Sequence, residues 1–451
     1  MTNEELVQSP RRRRLLQSLL AAAALGAVPL AASNEFLDSQ AAELVSSETG
    51  RLLASPNASV RSPKLVVLEL GGGNDALNTF GRFDDPIYQD ARRELAIDPV
   101  NALHVDGDLM AHPALTGLAD RYQRGQVALI ESVGDRLTDR SHFSNIARWR
   151  SGLDGSGIST SGWLGRYLDQ HGSGLSAVTI DWRGLHHPLR GEGGMALALP
   201  PNLAALDIDR STTSQLAAAT AFDGLSRAAL NPLVAQQMSA VRLAFNESQR
   251  FTPLNEVTSP DAGLAGQFAL AGSILSFDLG IDIVSLRLNG FDSHAGQIDG
   301  SATTGSHADL LAEVSNGIDE LFANLTPKVR EETVVLVYSE FGRRVAANDS
   351  LGTDHGSAGS AMLIGDSVLG GLHGTPPDLT DLDERGDMLP HLQFQQMYAS
   401  VLEQHLGVDS SSILLGDVEA VPNLIGAPAK EGDPAKEDDK AAVPVYGHLP
   451  K

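Results

Sequence analysis

Four short stretches concentrate the residues of this chain that could do chemistry: ELGGGNDALN (Glu69–Asn78), GFDSHAGQ (Gly290–Gln297), YSEFGRR (Tyr338–Arg344) and GTDHGSAGS (Gly352–Ser360). Asp292 and His294 stand two apart. In an extended segment such residues face the same way, so a carboxylate and an imidazole can point at one ion. His355 offers a second imidazole, with Asp354 beside it as a further ligand or as the group that orients one. Two imidazoles and a carboxylate suit zinc, manganese or iron and leave a position for water or substrate. Asp75 and Glu340 are hard oxygen donors for a second cation or for completing the first site. Arg343 and Arg344 carry planar guanidinium groups matched to a phosphate- or sulfate-like anion. With no cysteine in 451 residues, thiolate ligands, disulfides and cysteine nucleophiles are excluded, and any metal must rest on oxygen and imidazole.

Plainer roles stay open for several of these residues. Asp75, after Asn74, can cap a turn or helix. Ser141, ahead of His142 and Phe143, can be an N-cap. Glu340 can pair with Arg343 or Arg344. Asp292 with His294 is the combination hardest to assign to structure alone. The histidines outside the four stretches, His142 apart, lie in no acidic cluster and read as surface or packing residues.

The elements that must hold these residues are legible from apolar patterning. Thr333–Ser339 (TVVLVYS) is too apolar and β-branched to be anything but a buried strand. Lys64–Leu70, Val127–Val133, Ala177–Ile180, Asp282–Leu288 and Ala361–Ile364 read as strands as well. Side chains just beyond such strands sit at the edge where open parallel sheets bind ligands. Helices are expected over Pro113–Gly125, from Ser141 onward, over Ser306–Leu325 and over Gln393–Leu406, the last stopped by Gly407. In the third, Leu310, Val314, Leu321 and Leu325 share a face, and Ser306 with Asp309 reads as a capping box. Alternating strands and helices predict an α/β fold, a mostly parallel sheet flanked by helices on both faces. Gly71–Gly73 lacks the spacing of a dinucleotide fingerprint or a P-loop. The triplet is expected to turn the chain and bring Asp75 back over the strand end.

Residues 1–33 read as an export signal: Arg11–Arg14 are basic, Leu15–Leu30 apolar, and Ala31-Ala32-Ser33 suits cleavage. Paired arginines before Leu15-Leu16-Gln17 resemble a twin-arginine (Tat) signal, which makes the Tat translocase a partner during export. A general secretory signal and a membrane anchor are the alternatives. Gln17, Ser18, Gly26 and Pro29 oppose the anchor, so no span is expected after cleavage. Residues 34–62 read as a linker or surface arm, and 63–425 as the main domain with a helical insertion around 202–249. Residues 426–451, poor in large apolar side chains, read as a disordered tail. The net charge of −24 argues against nucleic acid or an anionic membrane surface as a partner.

Taken in order, the motifs resemble those of the DUF1501 family of exported bacterial proteins, which in turn looks like the alkaline phosphatase/sulfatase-like superfamily. The resemblance runs from about Lys64 to Val408. It adds RSHFSNIARWRSG (Arg140–Gly152), GWLGR (Gly162–Arg166) and LQFQQMYASVLEQHLG (Leu392–Gly407) to the four stretches. It implies an alkaline phosphatase-like fold and a periplasmic or secreted metal-dependent hydrolase of phosphate or sulfate esters. Carried over, Asp75 matches a first-strand metal carboxylate and Ser141 the nucleophile that opens a helix. Asp292 and His294 match ligands of one metal, with His355 as its third and His142 as acid or ligand. Glu340 stands where relatives carry an Asp-His doublet, and Phe341 replaces the histidine. Oxygen donors alone favour Mg²⁺ or Ca²⁺ there, or no ion, with Arg343 supplying charge instead. Gln393-Phe394-Gln395 likewise replaces Asp-Phe-Arg. The cofactor implied is a divalent metal (Zn, Mn, Mg or Ca), and the substrate an anionic small-molecule or glycan ester. The residue at Phe341 keeps an alternative open, a catalytically degraded scaffold serving as a periplasmic binding or assembly protein. A metal-free Ser/His/Asp hydrolase is opposed by the lack of a G-x-S-x-G elbow and by the adjacency of Ser141 and His142.

Overall fold

Burial alternates along the first strand and sets the layers. Leu65 and Val67 pack into one apolar core, while Val66, Leu68 and Leu70 pack into another on the opposite face. The computed structural model describes residues 62–155, 159–193, 195–203, 250–251, 254, 263–277 and 279–426. The expected signal, nearly all of the arm and of the 202–249 insertion, and the tail beyond Gly426 lie outside the described residues.

In chain order the strands are β1 (Lys64–Gly71), β2 (Phe80–Gly81), β3 (Leu103–Asp106), β4 (Leu109–Ala111), β5 (Val127–Gly134), β6 (Leu175–Ile180) and β7 (Met195–Leu199). They continue as β8 (Ile283–Asn289), β9 (Thr333–Tyr338), β10 (Arg343–Ala347), β11 (Thr353–His355), β12 (Gly359–Ile364), β13 (Gly371–Gly374) and β14 (Leu392–Gln393). The helices are α1 (Pro86–Arg92), α2 (Thr116–Gln123), α3 (His142–Ser151), α4 (Trp163–His171), α5 (Leu264–Ser276), α6 (Ser306–Ala323), α7 (Pro327–Glu332), α8 (Phe394–Ser400) and α9 (Ser410–Leu414).

The main sheet runs β13-β5-β12-β9-β1-β8-β6-β7, and β14 also pairs with β5. Only β12 runs against its neighbours β5 and β9; the other pairings are parallel. Val67 lies in register with Ser285 on one side and Leu336 on the other. Helices α2, α5 and α6 cover one face; α3, α4, α8 and α9 cover the other. This is the predicted α/β architecture, with both faces of a mostly parallel sheet covered. Among the described residues no helix is long and apolar enough to cross a membrane.

Local details depart from expectation. Gly305 (φ 106) precedes α6, so Ser306 is no N-cap, and its hydroxyl instead donates to Gly296 O at 3.0 Å. The expected last helix is α-helical through Ser400 and then widens into a π turn over Val401–His405 before Gly407 (φ 72). Gln393 opens it with a reciprocal capping box to Gln396, which gives the Gln-Phe-Gln sequence a local structural use.

Candidate metal centre

Parallel β8, β1 and β9 release their C-terminal ends at one edge, and three of the four stretches leave from there. Gly72 decides how closely they meet. Its N–H donates to both oxygens of Glu340, at 2.9 and 3.2 Å. At φ 122, with a Cβ there running into Asp292 N, the position admits glycine alone. The triplet therefore lets the loops after β8 and β9 close over β1.

It does not steer Asp75 to the other predicted ligands. Asp75 is 1% exposed, and Arg92 spans both its oxygens at 2.6 and 2.8 Å while Gln297 donates at 2.6 Å. Burial pushes its pKa up, but Arg92 and its other partners outweigh that and leave it lowered. Its partners are thus a guanidinium and an amide, the anchorage of a buried ion pair.

The remaining acidic residues and histidines converge. Asp292 Oδ1 lies 3.0 Å from His355 Nε2 and 3.2 Å from His294 Nε2, and those two nitrogens are 2.8 Å apart. His142 Nε2 stands 3.4 Å from Asp292 Oδ2; it is buried and has no hydrogen-bond partner. Ligand-type atoms of His142, Asp292 and His355 all fall within 4.8 Å of one another.

Every Nδ1 in the group faces an oxygen. That of His142 meets Glu340 Oε1 at 2.8 Å, that of His294 meets Asp354 Oδ1 at 3.1 Å, and that of His355 meets Arg140 O at 2.8 Å. A carbonyl or carboxylate oxygen can only accept, so each Nδ1 carries the hydrogen and each Nε2 turns a lone pair inward. The lone pairs of His142 and His355 and the Asp292 carboxylate form a donor set with its outer partners already in place, and His294 Nε2 stands beside it against Asp292 and His355. Glu340 and Asp354 thus hold rings in orientation. Burial raises the Glu340 pKa, yet His142 and backbone N–H groups leave it lowered. Burial raises the Asp292 pKa, but the Arg343 guanidinium outweighs it and holds the carboxyl well below the usual range. The hydrogen bond that His142 donates to Glu340 raises the His142 pKa, and burial lowers that of His355.

Arg343, expected to grip an anion, is spent. Its Nε donates to Gly73 O (2.7 Å), Nη1 to Thr353 O (2.7 Å), and Nη2 to Gly72 O, Phe291 O (2.9 Å) and Asp292 Oδ1 (2.8 Å). It is a buried knot between three loops. Arg344 is engaged by Asp387 and the Arg385 carbonyl. Phe341 presses its ring against His142 and His355, with centroids 4.9 and 4.7 Å apart, where the resemblance places an imidazole.

Ser141 precedes α3 without capping it. Asp139 braces the turn before the helix instead, its Oδ1 accepting from Ser141 N, Ser144 Oγ and Asn145 Nδ2. The Ser141 hydroxyl is left out of the cap. Sequence reading also missed Arg140, which stands at φ 62, offers its carbonyl to His355 and is clamped by Asp383 and Asp387. The Asp-rich run at 378–387 was the available signal, but nothing local ties it to His355. His186 bridges Asp181 and the buried Ser285 of β8.

A family model described as a protein of unknown function, DUF1501, matches residues 186–416, just over half of the chain. The chain belongs to the DUF1501 family. No curated protein matches this DUF1501 chain. A Bacteroides thetaiotaomicron structure named for glycosaminoglycan metabolism shares 11% identity at a TM-score of 0.40, covering 83% of this chain and 79% of its own. A sulfatase from Pseudoalteromonas sp. shares 13% at 0.35 (88% and 77%). An alkaline phosphatase superfamily protein from Vibrio parahaemolyticus shares 10% at 0.35 (87% and 78%). Overlaps this loose carry no residue correspondence.

Proposed function

We propose that this chain is an exported, metal-dependent hydrolase of phosphate or sulfate monoesters. The inward convergence of three histidine Nε2 atoms on Asp292, each ring fixed from behind through Nδ1, carries the reading. His142, His294, His355 and Asp292 would hold one divalent ion, and that ion, when bound, supplies Lewis acidity toward an ester oxygen. Nitrogen-rich coordination favours zinc or a similar transition metal over Mg²⁺ or Ca²⁺.

The chain's own groups do the rest. The ten-residue helix α3 directs its positive N-terminus at the ester, favouring an attacking oxygen on Ser141 and the anion it meets. Attack by Ser141 Oγ transfers the phosphoryl or sulfuryl group to serine and expels the alcohol; water then releases the anion and restores the hydroxyl. Glu340 and Asp354 keep the rings from turning, which limits reorganisation during both steps. The export signal in residues 1–33 would place this activity in the periplasm or outside the cell.

The test is turnover of aryl phosphate and aryl sulfate by purified protein, with chelator and after adding Zn²⁺, Mn²⁺, Mg²⁺ or Ca²⁺. Metal-dependent turnover abolished by Ser141→Ala supports the proposal. No turnover with any ion, and no difference between Ser141→Ala and the natural chain, removes it.

A further inference from the structure

The carbonyl of Arg140 and the N–H of Ser141 belong to one peptide group, and a peptide group is planar. Its oxygen accepts from His355 Nδ1 at 2.8 Å, and its N–H donates to Asp139 Oδ1 at 2.9 Å. One rigid plane therefore joins the ring of a metal-type ligand to the backbone of the serine proposed as nucleophile.

The plane takes its direction from Arg140, which stands at φ 62, a region that asparagine and glycine enter more readily. The side chain holds it there. Arg140 Nε donates to Asp387 Oδ2 and Nη2 to Asp383 Oδ2. Both carboxylates are fixed in turn. Asp383 Oδ1 accepts from Arg385 N and Asp387 N, each at 2.9 Å, and Asp383 N donates to Asp387 O at 2.9 Å. Leu382 pairs with Met388 across the base of this loop. Two further bonds tie it to the segments that carry His355. Arg344 in β10 donates to Asp387 Oδ1 at 3.3 Å and to Arg385 O at 2.5 Å. Ser357, two residues after His355, donates to Met388 O at 2.5 Å.

A buried ion pair argues by itself only for structure. Here the clamped residue aims a carbonyl at one ring nitrogen, and that bond decides which nitrogen of His355 keeps its lone pair. We propose that Arg140, clamped by Asp383 and Asp387, is a positioning residue that sets the His355 ring and the Ser141 backbone through their shared peptide plane. The uses given to His355 and Ser141 rest on the hydrolase proposal; the clamp and the plane do not.

The test reads the His355 tautomer in the metal-free full chain, labelled with ¹⁵N-histidine, by long-range ¹H–¹⁵N correlation. Above about pH 8 the ring is neutral, and its signal is the one missing from His355→Gln. The natural chain should carry the hydrogen on Nδ1. Asp383→Asn and Arg140→Asn should bring in the Nε2–H form and lower Zn²⁺ affinity about tenfold in chelator competition. Asparagine tolerates the backbone conformation of residue 140, so that variant removes the clamp and not the turn. Asp319→Asn, which breaks the 2.9 Å pair of α6 with Arg121, is the control for lost stability and should leave the tautomer as it is. An Nδ1–H ring in both clamp variants overturns the proposal, and so does an equal change in Asp319→Asn. A tautomer change in a chain that binds no Zn²⁺ and turns over no ester keeps the positioning role and removes the catalyst, so the two readings fail separately.

Discussion

His294 Nε2 and His355 Nε2 stand 2.8 Å apart although each ring has already placed its Nδ1 hydrogen against an oxygen. In their neutral forms neither nitrogen has a proton to give the other. A cation between them, or an added proton, relieves the repulsion. A divalent ion fits the geometry of His142, Asp292 and His355, whose ligand atoms all lie within 4.8 Å of one another, with His294 beside them.

The first prediction is therefore one tightly held divalent ion per chain, measured by elemental analysis of protein purified without chelators. Asp292→Asn, His294→Ala and His355→Ala should each cut occupancy at least about tenfold at limiting metal. Metal-free protein that stays metal-free after dialysis against Zn²⁺ would contradict this.

Removing an outer partner should weaken the site without emptying it. Asp354→Asn and Glu340→Gln are expected to lower metal affinity about 10- to 100-fold in chelator competition, with far-UV dichroism unchanged. Affinity equal to that of the natural chain in both variants would show that ring orientation through Asp354 and Glu340 is immaterial.

Asp75 and Arg92 should behave as structure. Both are fully enclosed, and Arg92→Ala strands a buried carboxylate, so urea unfolding should show a loss of about 3–5 kcal/mol. Metal affinity of Asp75→Asn should match that of the natural chain. A large fall in metal affinity with stability intact would return Asp75 to the ligand set.

Acid should destabilise the fold through two buried histidines. His112 and His307 lie with ring centroids 6.1 Å apart, and burial lowers both to about 4 from 6.5. Between those values the unfolded chain binds protons that the folded chain refuses. Their contribution is thus complete above pH 6.5 and is lost as pH falls toward 4, a few kcal/mol for the pair. Urea midpoints at pH 7, 5.5 and 4.5 should fall in that order, and His307→Gln should reduce the slope. A midpoint independent of pH over this range would exclude the effect.

The six strands read from the sequence were placed to within a residue or two, because buried strands of a covered sheet are largely apolar, while β7 and β13 of the same sheet were not read. The place of Asp292 and His294 at the sheet's edge was legible for the same reason, since their stretch follows β8, whereas His355 arrives from the β10-β11 pair. The small sheets β2-β4-β3 and β10-β11 were not, being too short to leave a pattern. Nor was the bracing by Asp139 of the turn before α3, whose N-cap residue Ser141 makes no side-chain capping bond. Arg343 illustrates the same limit: its residue type matched an anion, but three backbone loops claimed its donors first.

By itself the order of amino acids determined which segments would be buried and which residue types would arrive at the sheet's edge, since burial and alternation are properties of neighbours along the chain. Only the tertiary structure decided who faces whom. It gave Asp75 to Arg92, His142 to Glu340 and the His355 ring to the Arg140 carbonyl. A carboxylate takes whichever donor the packing of distant segments delivers to hydrogen-bonding distance, and the last two pairs join residues about 200 positions apart.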